Sequence, residues 1–566
     1  MNIGSTTFLS SFKIHDDSFS PKKNILFFFG LLFLVNLFLV GNNISLWDDD
    51  EAAYAGFALN MYERGDWVNP DFYWSDVHRK TPFHFWSITV SYYIFGVNEF
   101  AVRFPSSLAV LLTALSLLKL LVPVFGKANA QWSFIVFSSS FLCISMAKMS
   151  LTDAWLMFFE TLAVLSLLRY LHKPAVIWNL LLWFSVSMGI LVKGPPIIIL
   201  VGGVWLGMAI LHPERKKLIG THPWFFGLLS LIPFLIWTWF SYKNDGGKLL
   251  VFLYEWYILK RIGGVVFGQT GPPGYHFVVA IIAFLPWLPF FLRGFWQLIS
   301  KPLKSTENSF LFCWLLFGWG FYELMSSKLP SYAMGAHPAM AIASSIVLVN
   351  TLKSGNFNSF FAKWSLALTA LLWVLISIAI YPVFLNLFPE QSDYIPLISL
   401  FLILAALPVF LFNFNIKIFF AALWGALFVA MLWGPVGNAF DRSPAKSSRA
   451  IVVDLEKEAN KFTSAKDLPI ILCGFSNRQL RMSFPFYARL HFKEIREYTK
   501  EQFFEAAKKD EKVIVLLGEE VIAAIKNAET ENAFSKPYRF GNLPEWKSLN
   551  DQLKPHPFMY WHNLGN

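Results

Sequence analysis

Charge is scarce in this 566-residue sequence. Asp, Glu, Lys and Arg together supply 15% of it, against about 25% in ordinary soluble domains. A chain this long with so little charge cannot cover a water-soluble surface. Cysteine is nearly absent as well: only Cys143, Cys313 and Cys473 are present, far apart. Their spacing fits neither a zinc site nor a disulfide framework, which leaves them as small buried apolar residues. The glycines of the stretch Tyr242–Pro273 lack the Gly-Lys-Ser/Thr ending of a phosphate loop. No internal repeat is visible.

What fills the space is apolar. Hydrophobic residues make up 55% of the chain, with 60 Phe and 23 Trp. The net charge of +10 could mark a nucleic-acid binder, but the Lys and Arg lie mostly between apolar runs. That is the pattern of positive cytoplasmic links in a membrane protein, so no nucleic-acid partner is expected. About 20 polar residues precede Lys22-Lys23 and the run Ile25–Val40. No small-residue cleavage site follows, so this run reads as an uncleaved first helix with a cytoplasmic N-terminus.

A helix needs about 20 apolar residues to cross a bilayer core of about 30 Å. Successive candidates begin near 24, 101, 130, 154, 175, 195, 222, 275, 309, 332, 359, 395 and 415. Charge tests the count. Alternate links carry Lys127; Arg169 and Lys173; Arg215, Lys216 and Lys217; Arg293, Lys301 and Lys304; Lys353; and Lys417. About thirteen spans therefore place the basic links inside and the C-terminal tail outside. Pro82–Gly96 is apolar but too short to cross. Phe83, Trp86, Val90, Tyr93 and Ile94 form one stripe, with His84, Ser87 and Ser91 off it, as in a helix lying at the interface.

The expected organisation is mainly α. A cytoplasmic tail covers residues 1–23 and a polytopic membrane domain covers 24–440. Its first outer loop, 41–100, holds two interfacial helices. The first carries Tyr54, Phe57, Ala58 and Met61 on one face and stops at Gly65. A small α/β domain follows outside the membrane over 441–566. Within it Pro469–Cys473 and Lys512–Leu517 read as buried strands, and Lys500–Lys509 and Glu519–Asn527 as helices.

This topology gathers Asp50, Glu51, Lys80, Asp153, Lys193, Glu255, Arg261, Lys328 and Tyr332 on the outer side. Ionisable residues at a membrane boundary are costly unless paired or functional. The run Asp48–Glu51 opens a helix, where one or two carboxylates suffice as cap and dipole partner. Four exceed that need, and one could act as a general base. Asp153 is equally readable as an N-cap. Lys80, Lys193 and Lys328 each sit beside a proline-containing helix break. Each alone is readable as a snorkelling lysine; three together suggest a site for a lipid phosphate.

These residues also carry a resemblance. Asp50-Glu51-Ala52-Ala53-Tyr54-Ala55, Gly65-Asp66-Trp67-Val68, Lys80-Thr81-Pro82, Phe95-Gly96 and Glu99-Phe100-Ala101-Val102-Arg103-Phe104-Pro105-Ser106 follow in the order found in ArnT-like lipid-linked sugar transferases. Asp153, Leu191-Val192-Lys193-Gly194-Pro195, Phe284-Leu285-Pro286-Trp287 and Lys328-Leu329-Pro330-Ser331-Tyr332 extend the resemblance over roughly residues 24–440. The sequence departs from the pattern at Arg79, where an acid is common, and at Val77 and His78, which replace an aromatic. The outer loop lacks a clear His-x-x-Pro pattern.

The resemblance implies a GT-C fold that moves a sugar from a polyprenyl (undecaprenyl) phosphate to a lipid A-like lipid, a protein or an envelope glycan, with inversion. It places Asp50 at the key acidic position and Asp153 at a second, with Glu51 beside them. It places Lys80 and Tyr332 at the donor phosphate, joined by Lys193, Arg261 and Lys328. Tyr54 and Glu255 are taken as substrate-binding. No cofactor is required; a divalent metal is compatible with the acids, although no metal ligands are assigned. The expected setting is the bacterial cytoplasmic membrane, with a monomeric chain among membrane lipids and a periplasmic C-terminal domain. A flippase for lipid-linked sugars is the alternative; inverted repeats would favour it.

Overall fold

The computed structural model describes residues 19–260 and 270–355 apart from 48, 49 and 74, scattered positions between 364 and 433, and most of 447–562. Helices α1 (Lys23–Phe38), α2 (Asp50–Arg64), α3 (Phe83–Phe95) and α4 (Glu99–Leu120) open the fold. Further helices stand at every predicted span start up to 332, among them Thr152–His172, Val176–Lys193, Pro195–Leu211 and His337–Ser354. Five described helices are long and apolar enough to cross a membrane, or up to seven if each bent pair is one span. The expected spans near 359, 395 and 415 lie largely outside the described residues.

The two bends have local causes. Lys127–Ser138 meets Phe141–Lys148 at 63°. There Ser139 and Ser140 donate their hydroxyls back to the carbonyls of Ile135 and Val136, which competes with the helical ladder. Tyr275–Ala283 meets Leu285–Ser300 at 80°, where Pro286 and Pro289 supply no backbone N–H. Lys193 ends its helix at Gly194, whose φ is 76°, and Pro195 starts the next. The left-handed position suits glycine, and proline is suited to a first helical turn. Lys193 is thereby presented at a sharp turn between two packed helices.

The loop helices correct part of the sequence reading. α3 is short, and its Val90, Tyr93 and Ile94 are exposed while His84 and Ser91 are buried; the C-terminal half of the expected stripe faces outward, but Phe83 and Trp86 pack against neighbouring apolar clusters. α2 differs. Every residue from Glu51 to Met61 is buried, so it does not lie with one face on a membrane. It is enclosed by α3 on one side and by the C-terminal helix Ser483–His491 on another. The helix stops as predicted, with Gly65 at φ 73°.

The C-terminal domain is α/β. Strands β1 (Pro469–Cys473), β2 (Glu494–Tyr498), β3 (Ile514–Leu517), β4 (Arg539–Asn542) and β7 (Met559–His562) form one sheet in the order β2-β1-β3-β7-β4. β1 pairs in parallel with β2 and β3, and β7 runs antiparallel to β3 and β4. β5 (Trp546–Lys547) and β6 (Pro555–His556) form a separate ribbon. β1 and β3 match the predicted strands, and Lys500–Ala506 matches a predicted helix. Most of the predicted helix 519–527 lies outside the described residues.

Candidate functional site

Asp50 is the first residue of α2, and Tyr54 follows one turn later on the same face. The Tyr54 hydroxyl donates to Asp50 Oδ1 at 3.1 Å. Lys80 arrives from the link before α3 and donates to the same hydroxyl. Its Nζ lies 4.8 Å from the Tyr54 ring centroid and 3.9 Å from Asp50 Oδ1. His78, at the end of the short turn Asp76–His78, brings Nδ1 to 3.0 Å from the same oxygen. Burial works against the charged form of Asp50, but Lys80, His78 and Tyr54 outweigh it and hold the carboxyl well below its usual range. The Tyr54 hydroxyl is held far above the phenol range, first by burial and then by surrounding negative charge from Asp50 and Asp153 among others. Tyr54 is thus a buried bridge between an anion and a cation.

A second cluster sits beside the first. Asp153 lies in the first turn of Thr152–His172 and accepts a hydrogen bond from Lys193 Nζ at 2.8 Å. The same ammonium is 5.3 Å from the Tyr332 ring centroid. Asp153, Lys193, Tyr257, Tyr322 and Tyr332 line a cavity of about 320 Å³. Leu156, Ile199, Ile258 and Phe321 give it apolar walls. Tyr257 joins the clusters, since its hydroxyl donates to the carbonyl of Val77, next to His78, at 3.2 Å. His84 lies between them, accepting from or donating to Ser150 Oγ at 3.1 Å. Burial pushes its pKa down to about 3, so the ring is neutral.

Several expected site residues are elsewhere. Glu51 faces away from the Asp50 cluster. Its carboxylate takes Arg103 Nε and Nη2 at 2.9 and 2.8 Å, and the backbone N–H groups of Ser150 and Trp47 at 2.9 and 2.8 Å. Both oxygens are engaged, and the carboxylate ties α2, α4 and the approach to Asp153 together. Lys328 does not line the cavity. Its Nζ is buried against the carbonyls of Glu323 and Met325 at 2.7 and 3.0 Å, with the Glu323 carboxylate at 3.7 Å. It caps the C-terminal end of the helix Phe321–Leu324, where cations are favoured. Glu255 is exposed and the cavity takes Tyr257 instead. Arg261 lies outside the described residues, as do Asp48 and Asp49.

Four residues were not singled out from the sequence: His78, Tyr257, His84 and Glu160. Glu160 is buried in an apolar helix, two turns from Asp153. Gly335 makes room for it, because a Cβ there would lie 2.1 Å from Glu160 Oε2. A carboxylate inside an apolar span is itself a signal. Among the described residues, no group of three or more His, Cys, Asp or Glu has the proximity of a metal site.

Fold and site together define a multi-span membrane protein of the GT-C type with a polar cluster at the mouth of an apolar cavity. Residues 79–239 match the profile of the family described as dolichyl-phosphate-mannose-protein mannosyltransferase. The structure resembles ArnT from Cupriavidus metallidurans, crystallised with undecaprenyl phosphate, at a TM-score of 0.72 and 17% identity over 96% of this chain and 99% of that one. In sequence, an uncharacterized protein of Aquifex aeolicus is 28% identical over 81% of this chain and 85% of its own length. The undecaprenyl phosphate-alpha-4-amino-4-deoxy-L-arabinose arabinosyl transferases of Photorhabdus laumondii and Pseudomonas aeruginosa are 24% and 26% identical over 59% of this chain. The match spans 61% and 60% of those two transferases, less than two thirds of their length. The chain shares the GT-C fold of that ArnT structure.

Proposed function

We propose that the protein transfers a sugar from a polyprenyl phosphate to an acceptor on the outer face of a bacterial cytoplasmic membrane, with its N-terminus cytoplasmic and its C-terminal domain periplasmic. One observation carries this reading: an otherwise apolar cavity has Lys193, Asp153 and Tyr332 at its polar end, beside the Asp50–Tyr54–Lys80 cluster. An isoprenoid chain suits the walls, and a phosphate suits the lysines. Fixed cations stabilise the charge that develops as a phosphate leaves.

In the proposed step, the acceptor oxygen forms a bond to the anomeric carbon from the face opposite the phosphate. The bond from that carbon to the phosphate oxygen breaks, and the electron pair leaves with the phosphate. One displacement inverts the anomeric configuration. Lys80 and Lys193 hold the phosphate, and a hydroxyl acceptor loses its proton at the Asp50 cluster. The acceptor class is a lipid, a protein or an envelope glycan. The names of the relatives make undecaprenyl phosphate-linked 4-amino-4-deoxy-L-arabinose and mannose the donors to assay first.

Asp50→Asn tests the reading. The full chain in liposomes is given radiolabelled donor and an envelope extract as acceptor. Positioned acid–base groups contribute about 10²–10⁴-fold, so transfer is expected to fall at least about 100-fold with membrane insertion unchanged. Undiminished transfer by this variant overturns the placement of the chemistry at Asp50.

A further inference from the structure

The Asp50 carboxylate and the His78 imidazole form a pair that the polyprenyl-phosphate reading leaves without distinct roles. We propose that His78, oriented by Asp50, is the base that takes the proton from a hydroxyl acceptor, and that Asp50 acts through it. The inference rests on the transferase reading above and assigns a further catalytic residue within it.

The geometry is that of a carboxylate holding one side of an imidazole. His78 Nδ1 lies 3.0 Å from Asp50 Oδ1. With the proton on Nδ1 the ring donates to the carboxylate, and Nε2 keeps a lone pair. Among the described residues no protein group is hydrogen-bonded to Nε2. The imidazole is 15% exposed and the Asp50 side chain 43%, so the ring is held in the wall while solvent and substrate can reach the pair. The wall is also that of the donor cavity: the Val77 carbonyl next to His78 accepts from Tyr257, which lines the cavity.

Asp50 is the weaker candidate for the base. Its Oδ1 is shared by His78, Tyr54 and, at 3.9 Å, Lys80. Oδ2 has none of these contacts, but the carboxyl as a whole is held well below its usual range. A carboxylate stabilised so strongly as an anion accepts a proton poorly. An imidazole whose Nε2 keeps its lone pair is the better placed proton acceptor. Among the described residues, the charged and titratable groups around His78 are few. Asp50 and Tyr54 face it from α2, Tyr257 reaches its turn from the segment Glu255–Leu259, and Lys80 follows it in sequence. Arg79 is paired with Asp76 at 2.7 Å.

The step balances without a further reactant. The acceptor O–H proton passes to Nε2 as the oxygen bonds to the anomeric carbon and the polyprenyl phosphate departs with the electron pair. The resulting imidazolium is stabilised by Asp50 and afterwards releases its proton to water.

His78→Asn separates a base from a brace. The Asn amide can still donate to Asp50, as Nδ1 does, but it offers no basic nitrogen. The assay is the liposome assay above, with whichever of the two donors the wild type turns over. His78→Asn is expected to lower kcat at least about 100-fold with little change in donor KM. A base is lost on protonation, so the wild-type kcat/KM should carry an acid limb that the residual activity of the variant lacks. Wild-type kcat in His78→Asn, or an acid limb that persists in it, overturns the proposal and leaves His78 as a brace. A wild-type profile with no acid limb overturns it without any variant. Loss of transfer in Asp50→Asn but not in His78→Asn sinks this inference alone; full transfer in both sinks the reading of the cluster beneath it.

Discussion

A single residue of helical rotation, about 100°, separates Asp50 from Glu51. It turns one carboxylate toward Tyr54, Lys80 and His78 and the other into a buried bond with Arg103. Asp153 and Lys193 show the opposite relation, far apart in sequence and 2.8 Å apart in space. Their side chains are 8% and 16% exposed, so the pair is only lightly screened. Lys193 has spare donors after bonding Asp153, since an ammonium carries three. Lys193→Gln is therefore expected to raise the donor KM more than it lowers stability. A hydrogen bond to a charged group is worth about 1.5–3 kcal/mol, or roughly 10- to 150-fold. Donor titration of the variant in liposomes checks this. A lowered unfolding midpoint with an unchanged KM would make the pair structural. The sequence exposed Asp50, Lys80, Asp153 and Lys193 because polar residues at span ends are conspicuous. The resemblance ranked Asp50 above Glu51, but residue types alone could not say where Glu51 points without the helix phase, nor assign Lys328 without knowing that a helix ends just before it. His78 and Tyr257 were hidden in a link and a loop, where no periodicity points to a partner.

At the scale of elements, the site depends on how α2, α4 and the segment before Thr152–His172 are joined. Arg103 donates to both oxygens of Glu51 and to the carbonyls of Asn42, Ile44 and Ser45. Glu51 in turn receives the Ser150 N–H, three residues before Asp153. This pin fixes where Asp50 stands relative to Asp153. Removing one partner of a buried pair strands a charge and costs about 3–5 kcal/mol, whereas replacing both with apolar groups can be neutral. Glu51→Gln should thus lower the unfolding midpoint sharply. Glu51→Leu combined with Arg103→Met should recover part of the stability and little of the activity, because the backbone groups once tied to the pair lose their partners. Thermal unfolding in detergent and transfer in liposomes read the two effects separately. If the double variant recovers full activity, the pin serves stability alone. The elements themselves were legible wherever one periodicity dominated, as in the C-terminal half of α3 with its exposed Val90, Tyr93 and Ile94. α2 showed a stripe too, but its polar side is covered by the helix Ser483–His491, hundreds of residues away. β2 was missed because its alternation of Glu, Ile, Arg, Glu and Tyr is that of an edge strand with little burial, and such a strand reads like a loop.

Over the whole molecule, the C-terminal domain acts on the loop that carries Asp50. The Tyr487 hydroxyl accepts from the Leu46 N–H at 2.8 Å and donates to Glu99 Oε1 at 3.1 Å. Arg449 lies 3.4 Å from the same Glu99 oxygen, and Arg489 reaches Asn60 at 3.1 Å and also Glu63 on α2. Ile451, Leu455, Phe484 and Phe486 share one apolar core with Tyr54, Phe57 and Phe85. The domain therefore completes the core beneath α2. Its hydroxyl contact falls four residues before Asp50, next to the Ile44 and Ser45 carbonyls that Arg103 holds. Tyr487→Phe removes that hydroxyl with almost no change in packing. The Leu46 N–H would then lack its buried partner, at a cost of about 1–3 kcal/mol, while Glu99 keeps Arg449. If the domain steadies the catalytic loop, hydrogen exchange should quicken over residues 44–52 in the variant while the β1 and β3 amides stay protected. Transfer should fall through kcat. Equal loss of protection in the sheet would show that Tyr487 serves the domain's own fold. Unchanged exchange at both places would mean that the apolar core alone holds the loop, with the hydroxyl contributing nothing to it.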